Sequence, residues 1–135
     1  MFQFCYRTRW NVDIISITFF TRSLPFLTEL YHLFYVDGIK VIPAVEIMYH
    51  LLTPEALAHW IIGDGGAVRS GLILYTNSFS VIDNIKLINI LMVRYQLDCT
   101  LISRNRISIK AASMPRLRAI VLPYIHYSIL YKLGL

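Results

Sequence analysis

Leu57-Ala58-His59-Trp60-Ile61-Ile62-Gly63-Asp64-Gly65-Gly66 is an apolar helical segment that runs into a lone aspartate and two glycines. A carboxylate in the last turn of a helix faces the negative end of the macrodipole, where Lys, Arg or His is favoured, so Asp64 sits there at a cost in local stability. Chemistry is one reason for a chain to keep such a residue. An Asp-Gly turn closing a buried helix is the other reading of the same residues.

Upstream, Thr53 predicts an N-cap, with Pro54 at N1 and Glu55 in the first turn, so the helix starts there and ends at Gly65-Gly66. Downstream, residues 71–77 are rich in apolar and aromatic side chains and predict a strand. Ser80 followed by Asp83 resembles a capping box for a helix reaching about Tyr95. Residues 98–103 and 106–112 predict a hairpin across Arg104-Asn105, followed by a helix over Pro115–Leu122. Helix, strand, helix, hairpin, helix is an α+β order in which helices cover one face of an antiparallel sheet.

The chain also resembles itself. An offset of 55 residues places Ile17–Leu24 on Leu72–Phe79, and sets Leu27, Leu30 and Leu33 opposite Ile82, Ile85 and Ile88. A strand, a turn and a helix with apolar residues on one face therefore occur twice, as in a pseudo-twofold domain. At the same offset Leu57 and Asp64 fall on Phe2 and Arg9, so the first copy lacks the motif, either truncated before its helix or diverged beyond recognition. The expected organisation is an incomplete first repeat with its connector over residues 1–52 and a second repeat over 53–135.

At 135 residues the chain is long enough for a single core. Hydrophobic residues make up 56% and the mean hydropathy is +0.55. No uninterrupted apolar run reaches the roughly 20 residues that span a bilayer, so no membrane partner is expected. Cys5 and Cys99 have neither metal-ligand nor redox-motif spacing, which predicts a reducing compartment. The four histidines lack zinc spacing, and Gly65-Gly66 is followed by no Lys-Ser or Lys-Thr of a phosphate loop. Met1–Trp10 carries Arg7 and Arg9 and no acid, as a transit peptide does, without a sustained amphipathic helix. The net charge is +5, and from Arg94 onward Arg94, Arg104, Arg106, Lys110, Arg116, Arg118 and Lys132 stand against Asp98 alone. Such a bias suits a polyanion; a solvated basic surface explains it equally.

Leu57 to Gly65 resembles the nine-residue signature of the LAGLIDADG homing endonucleases, with Leu57, Ala58, Asp64 and Gly65 matching. Leu52-Thr53-Pro54, Gly71–Phe79, Leu122-Pro123-Tyr124 and Leu130-Tyr131-Lys132-Leu133 resemble further blocks of the group found in organelle introns. The resemblance covers about residues 14–133. It implies a sheet that saddles double-stranded DNA, hydrolysis of phosphodiesters with Mg2+, and a mitochondrial location.

Hydrolysing DNA demands charge stabilisation at the attacking and leaving oxygens, usually from hard cations held by carboxylate and backbone oxygens. The resemblance gives Asp64 that role, with Gly63 beside it where relatives often carry a second acid. It places Asn77 and Lys110 as polar and basic groups near the scissile phosphate, Ala112 being the other position for the lysine. Arg106, Ser108 and Lys110 alternate with Ile107 and Ile109, so one strand face presents donors to DNA while the other packs. Arg69 and Arg104 are the expected additional phosphate contacts. Ala58 is expected to keep the helix shallow for a second motif helix, supplied by a missing N-terminal half or a second subunit. The alternatives are an intron RNA-binding maturase and an inactive truncated remnant.

Overall fold

In a computed structural model the chain divides into two compact units, Met1–His32 and Leu33–Leu135. The structure describes residues 22–135 in full and, before them, the backbones of two strands. The side chains of Cys5 and Arg9, the Met1–Trp10 leader reading and part of the Ile17–Leu24 repeat lie outside the described residues.

In the first unit β1 (Phe2–Arg9) pairs antiparallel with β2 (Val12–Phe19), from Phe2 opposite Phe19 to Arg9 opposite Val12. Helix α1 (Pro25–Phe34) follows and leads into the second unit. There a two-residue ladder joins β3 (Tyr35–Val36) to β4 (Ile39–Lys40), and α2 (Val45–Leu51) comes next.

The expected helix is α3 (Pro54–Asp64), with the Thr53 hydroxyl accepting from the Ala56 amide at 3.1 Å and Pro54 in its first turn. After it come β5 (Gly65–Val68), β6 (Gly71–Leu74), α4 (Val81–Tyr95), β7 (Cys99–Ile102), β8 (Arg106–Lys110) and α5 (Met114–Val121). Ser80 caps α4 by accepting from the Asp83 amide at 3.1 Å. The four strands form one antiparallel sheet in the order β5-β6-β8-β7.

Gly65-Gly66 ends α3, as the sequence predicts, but the strand β5 that starts there is not predicted. Gly65 has extended backbone, φ −90° and ψ 151°, so α3 passes straight into an edge strand. Its missing side chain is required by space: a Cβ would lie 2.5 Å from the Ile61 carbonyl oxygen. The strand expected over 71–77 ends at Leu74, and the one expected to reach 112 ends at Lys110. Beyond Lys110 the chain coils into a 3-10 turn over Ala111–Ser113, where the Ser113 hydroxyl accepts from the Asp98 amide at 2.8 Å.

Leu72 and Leu74 of β6 and Ile107 and Ile109 of β8 are fully buried in one core with Leu57 and Ile61 of α3, Leu87, Ile90 and Leu91 of α4, and Leu117 of α5. The alternate residues Ile73, Thr100, Arg106, Ser108 and Lys110 lie on the opposite sheet face, half-buried or exposed. Helices therefore cover one face only, as the α+β reading expects. The order hairpin, helix, hairpin, helix occurs in β1–α2 and again in β5–α5, the second time preceded by α3.

The C-terminal segment Tyr127–Leu133 winds as a 3-10 helix, with Leu133 fully buried. The Arg118 guanidinium fastens it, donating to the Leu133 carbonyl at 2.8 Å.

Candidate nucleic-acid interface and carboxylate site

Asp64 ends α3 exposed to solvent, with no hydrogen bond or ion pair on its carboxylate among the described residues. Its backbone is held firmly. The Tyr75 amide donates to the Asp64 carbonyl at 2.9 Å, and the Gly65 amide donates to the Ile61 carbonyl. The last carbonyls of an α-helix have no intrahelical donors, and Gly63 belongs to that turn.

Two faces of α3 carry apolar residues. Leu57, Ala58 and Ile61 turn into the chain's own core at 0% exposure. Ala58 is therefore consumed internally, and the face left open for another element is that of Ala56, Trp60 and Asp64, four residues apart. It borders a cavity of about 260 Å³ lined also by Phe34, Met48, Leu52 and Phe79, with the Lys40 ammonium 4.8 Å above the Phe79 ring. A Cβ built on Gly63 meets nothing within 4 Å, so nothing described in this chain requires a glycine there.

Among the described residues no three His, Cys, Asp or Glu side chains gather closely enough to cage a metal. One exposed carboxylate flanked by helix-end carbonyls is instead an all-oxygen donor set open to water and substrate. That suits a hard divalent cation bound through one or two carboxylates plus substrate phosphates.

Register decides which basic groups reach this site. Gly65 pairs with Leu74 and Leu74 with Ile107, so Arg106 lies one step beyond that row, at the Asp64 end of β8. Lys110 pairs with Gly71, three strand steps away, or about 10 Å. Its ammonium is 2.9 Å from the Asp98 carboxylate, both half-exposed. The structure thus does not bring Lys110 to Asp64, and Ala112, beyond the strand end, is no nearer along the chain. Lys110 remains on the outer sheet face with Arg106 and Ser108.

Asn77 follows the end of β6, but its side-chain amide donates to the Arg104 carbonyl at 2.9 Å. It belongs to a latch. The Thr76 hydroxyl donates to the Asn105 carbonyl at 2.8 Å, the two N–H groups of the buried Asn84 amide are shared among the Thr76, Phe79, Ser80 and Asn105 carbonyls, 3.1–3.5 Å away, and the Asn105 amide donates to the Phe79 carbonyl. These bonds hold the β7–β8 tip, where Arg104 and Asn105 take left-handed backbone at φ 61° and 53°. Among the described residues the buried Asn84 carbonyl oxygen has no partner, which costs stability while its amide faces the loop carbonyls. Asn77, exposed to solvent, thereby also holds the hairpin tip.

The exposed Arg104 stands at this tip, and Arg106 beside it donates to the Ser103 carbonyl and hydroxyl. Arg69 is exposed at the β5–β6 turn, the other end of the sheet. Three further cations among the described residues are engaged elsewhere. Arg94 donates to the Tyr49 carbonyl, Arg116 to the Gln96 side chain, and Arg118 to the Leu133 and Gly134 carbonyls. Cys99 is buried, and loss of solvation pushes its thiol up to about 12, which excludes a thiolate nucleophile near neutral pH.

Sequence reasoning counted Lys132 only as a charge. Its ammonium donates to the Gly65 carbonyl at 2.9 Å, bridging 67 residues to the end of α3. The block Leu130–Leu133 was the available signal; the partner was not.

Residues 1–117 match the family profile described as LAGLIDADG DNA endonuclease family. The chain is 34% identical over 128 residues to "Intron-encoded endonuclease ai4" of Dictyostelium discoideum, covering 91% of this chain and 80% of that protein. It is 34% identical over 123 residues to "Cytochrome b mRNA maturase bI2" of Debaryomyces hansenii, and 41% identical over 103 residues to the Saccharomyces cerevisiae maturase of that name. Those matches cover 87% and 72% of this chain but 46% and 24% of the two maturases. Among solved structures, the homing endonuclease I-WcaI bound to its DNA recognition sequence superposes with a TM-score of 0.79 at 23% identity. That match covers 98% of this chain and 63% of the other, and at that identity it speaks for the fold.

Proposed function

The chain belongs to the LAGLIDADG DNA endonuclease family, a family of metal-dependent nucleases, and on that premise we propose that it hydrolyses double-stranded DNA at the end of α3. The observation that carries this reading is the exposed, unpaired Asp64 carboxylate on a backbone pinned at both sides. Asp64 and the Gly63 carbonyl would hold Mg2+, which when bound supplies Lewis-acid stabilisation of the oxygens around the scissile phosphorus. The outer sheet face, with Arg106, Ser108 and Lys110 between Arg69 and Arg104, lies along the duplex; its cations neutralise phosphates and its strand side chains meet base edges. The latch around Asn84 fixes Arg104 and Arg106 before DNA arrives.

Asp64 serves one strand. The second strand needs another carboxylate, carried by a motif helix that packs on the Ala56–Trp60 face of α3 and comes from a second subunit or another half of a larger protein. We assign residues 1–52 to the first repeat and 53–135 to the second. Kinship with intron-encoded proteins supports an organellar origin, and kinship with cytochrome b maturases supports the mitochondrion.

The test is cleavage of a duplex spanning the ligated, intronless exon junction, in Mg2+ and in Ca2+. Cutting in Mg2+ is expected; no cutting in any divalent cation, with binding preserved, would favour the second reading. That reading, a maturase that binds intron RNA, is supported by the two maturase relatives. Preference for folded intron RNA over the junction duplex in a competition gel would establish it.

Gly63→Ala separates packing from catalysis. Within this chain the substitution meets open space, and replacing a helical glycine by alanine stabilises by about 0.5–1 kcal/mol. Urea unfolding is expected to show that gain while cleavage falls, because a Cβ obstructs the neighbouring helix. Undiminished cleavage would mean that no backbone approaches Gly63.

A further inference from the structure

We propose that Lys132 is the positioning residue for Asp64, an inference that rests on the assignment of Asp64 to the reacting centre. The last turn of α3 contains no basic residue, although its end accumulates negative dipole and carries a carboxylate. The missing cation comes from the far end of the chain, where the Lys132 ammonium sits 2.9 Å from the Gly65 carbonyl, one residue past Asp64.

Three described hydrogen bonds restrain the backbone where α3 ends. The Tyr75 amide holds its carbonyl, the Ile61 carbonyl holds the Gly65 amide, and Lys132 holds the Gly65 carbonyl. The first two are bonds of the helix and sheet themselves. Of these the third uses a side chain, so a substitution removes it without altering the backbone ladder.

Lys132 is itself well anchored. Its neighbour Leu133 is fully buried, and Arg118 donates to the Leu133 carbonyl from α5. Gly65 and the residues after it form an edge strand, whose outward carbonyls lack a neighbouring strand. Lys132 fills one of those vacant acceptor positions and joins the C-terminal segment to the strand that leaves the site. Acting through Gly65, it keeps the α3 end from fraying and holds the carboxylate where the phosphate arrives.

The experiment is residue-resolved amide hydrogen exchange on the full chain, for wild type, Lys132→Met and Lys132→Arg. In Lys132→Met, exchange of the Gly65 and Tyr75 amides is expected to accelerate at least tenfold, with core amides such as Leu91 unchanged, and Lys132→Arg is expected to restore protection. Unchanged exchange at both amides, or a uniform rise through the whole chain, would overturn the positioning role. Single-turnover cleavage in Mg2+ and duplex affinity in Ca2+ complete the test. A rate loss of tenfold or more at unchanged affinity is expected; equal losses in both would overturn the proposal. Asp64→Asn is measured alongside: if it cuts like wild type, the site assignment fails, whatever Lys132 does to exchange.

Discussion

Asp64→Asn is expected to abolish metal-dependent cleavage while leaving the fold and duplex binding intact. The side chain is exposed and unpaired among the described residues, so neutralising it breaks no described contact. Unfolding midpoints should agree within the ±0.5 kcal/mol usual for surface changes. Catalysis differs, because a metal centre contributes several kcal/mol of transition-state stabilisation. At about 1.4 kcal/mol per factor of ten, loss of some 4 kcal/mol lowers the rate about a thousandfold. Single-turnover assays with end-labelled duplex would measure it. A variant cutting within tenfold of wild type would remove Asp64 from the reacting centre.

The largest stability effect is expected at Gly71, far from the chemistry. Gly71 has φ +134°, a conformation closed to ordinary L-residues, and a Cβ there would lie 2.0 Å from the Ile109 carbonyl oxygen. Both atoms belong to the β6–β8 ladder, which carries the floor of the outer face, so the clash cannot be relieved by a side-chain rotation. Strain and lost pairing together should cost at least about 3 kcal/mol in Gly71→Ala. Urea unfolding or a thermal melt reads this directly. A midpoint close to wild type would mean that the ladder at Gly71 differs from the one described.

These two positions illustrate what the sequence carries and what it does not. Local grammar was legible: Thr53-Pro54 and Ser80-Asp83 announce the starts of α3 and α4, and the alternation of Arg106 to Lys110 announces a strand with one polar face. Gly65 to Val68 was illegible because Gly-Gly-Ala-Val has neither alternation nor β-branched weight, and its extended state is enforced by the sheet. Ala58 was assigned to the wrong side because α3 has apolar residues on two faces, and periodicity does not say which of them meets its own core. The strand position of Lys110 relative to Asp64 depends on register between β6 and β8, which no local pattern encodes. For the same reason the basic C-terminal half looked like one surface. Arg118 and Lys132 are committed instead to carbonyls 15 and 67 residues away, which only the folded chain brings near.

If Asp64 cuts one strand of a duplex and a second carboxylate comes from another motif helix, strand-resolved cleavage shows it: the purified chain, confirmed monomeric, is given the exon-junction duplex labelled on either strand, with Mg2+ present. A nick in one strand is expected, lost in Asp64→Asn, with little double-strand product. Efficient double-strand cleavage by the monomer would contradict it, as would nicking that survives the substitution.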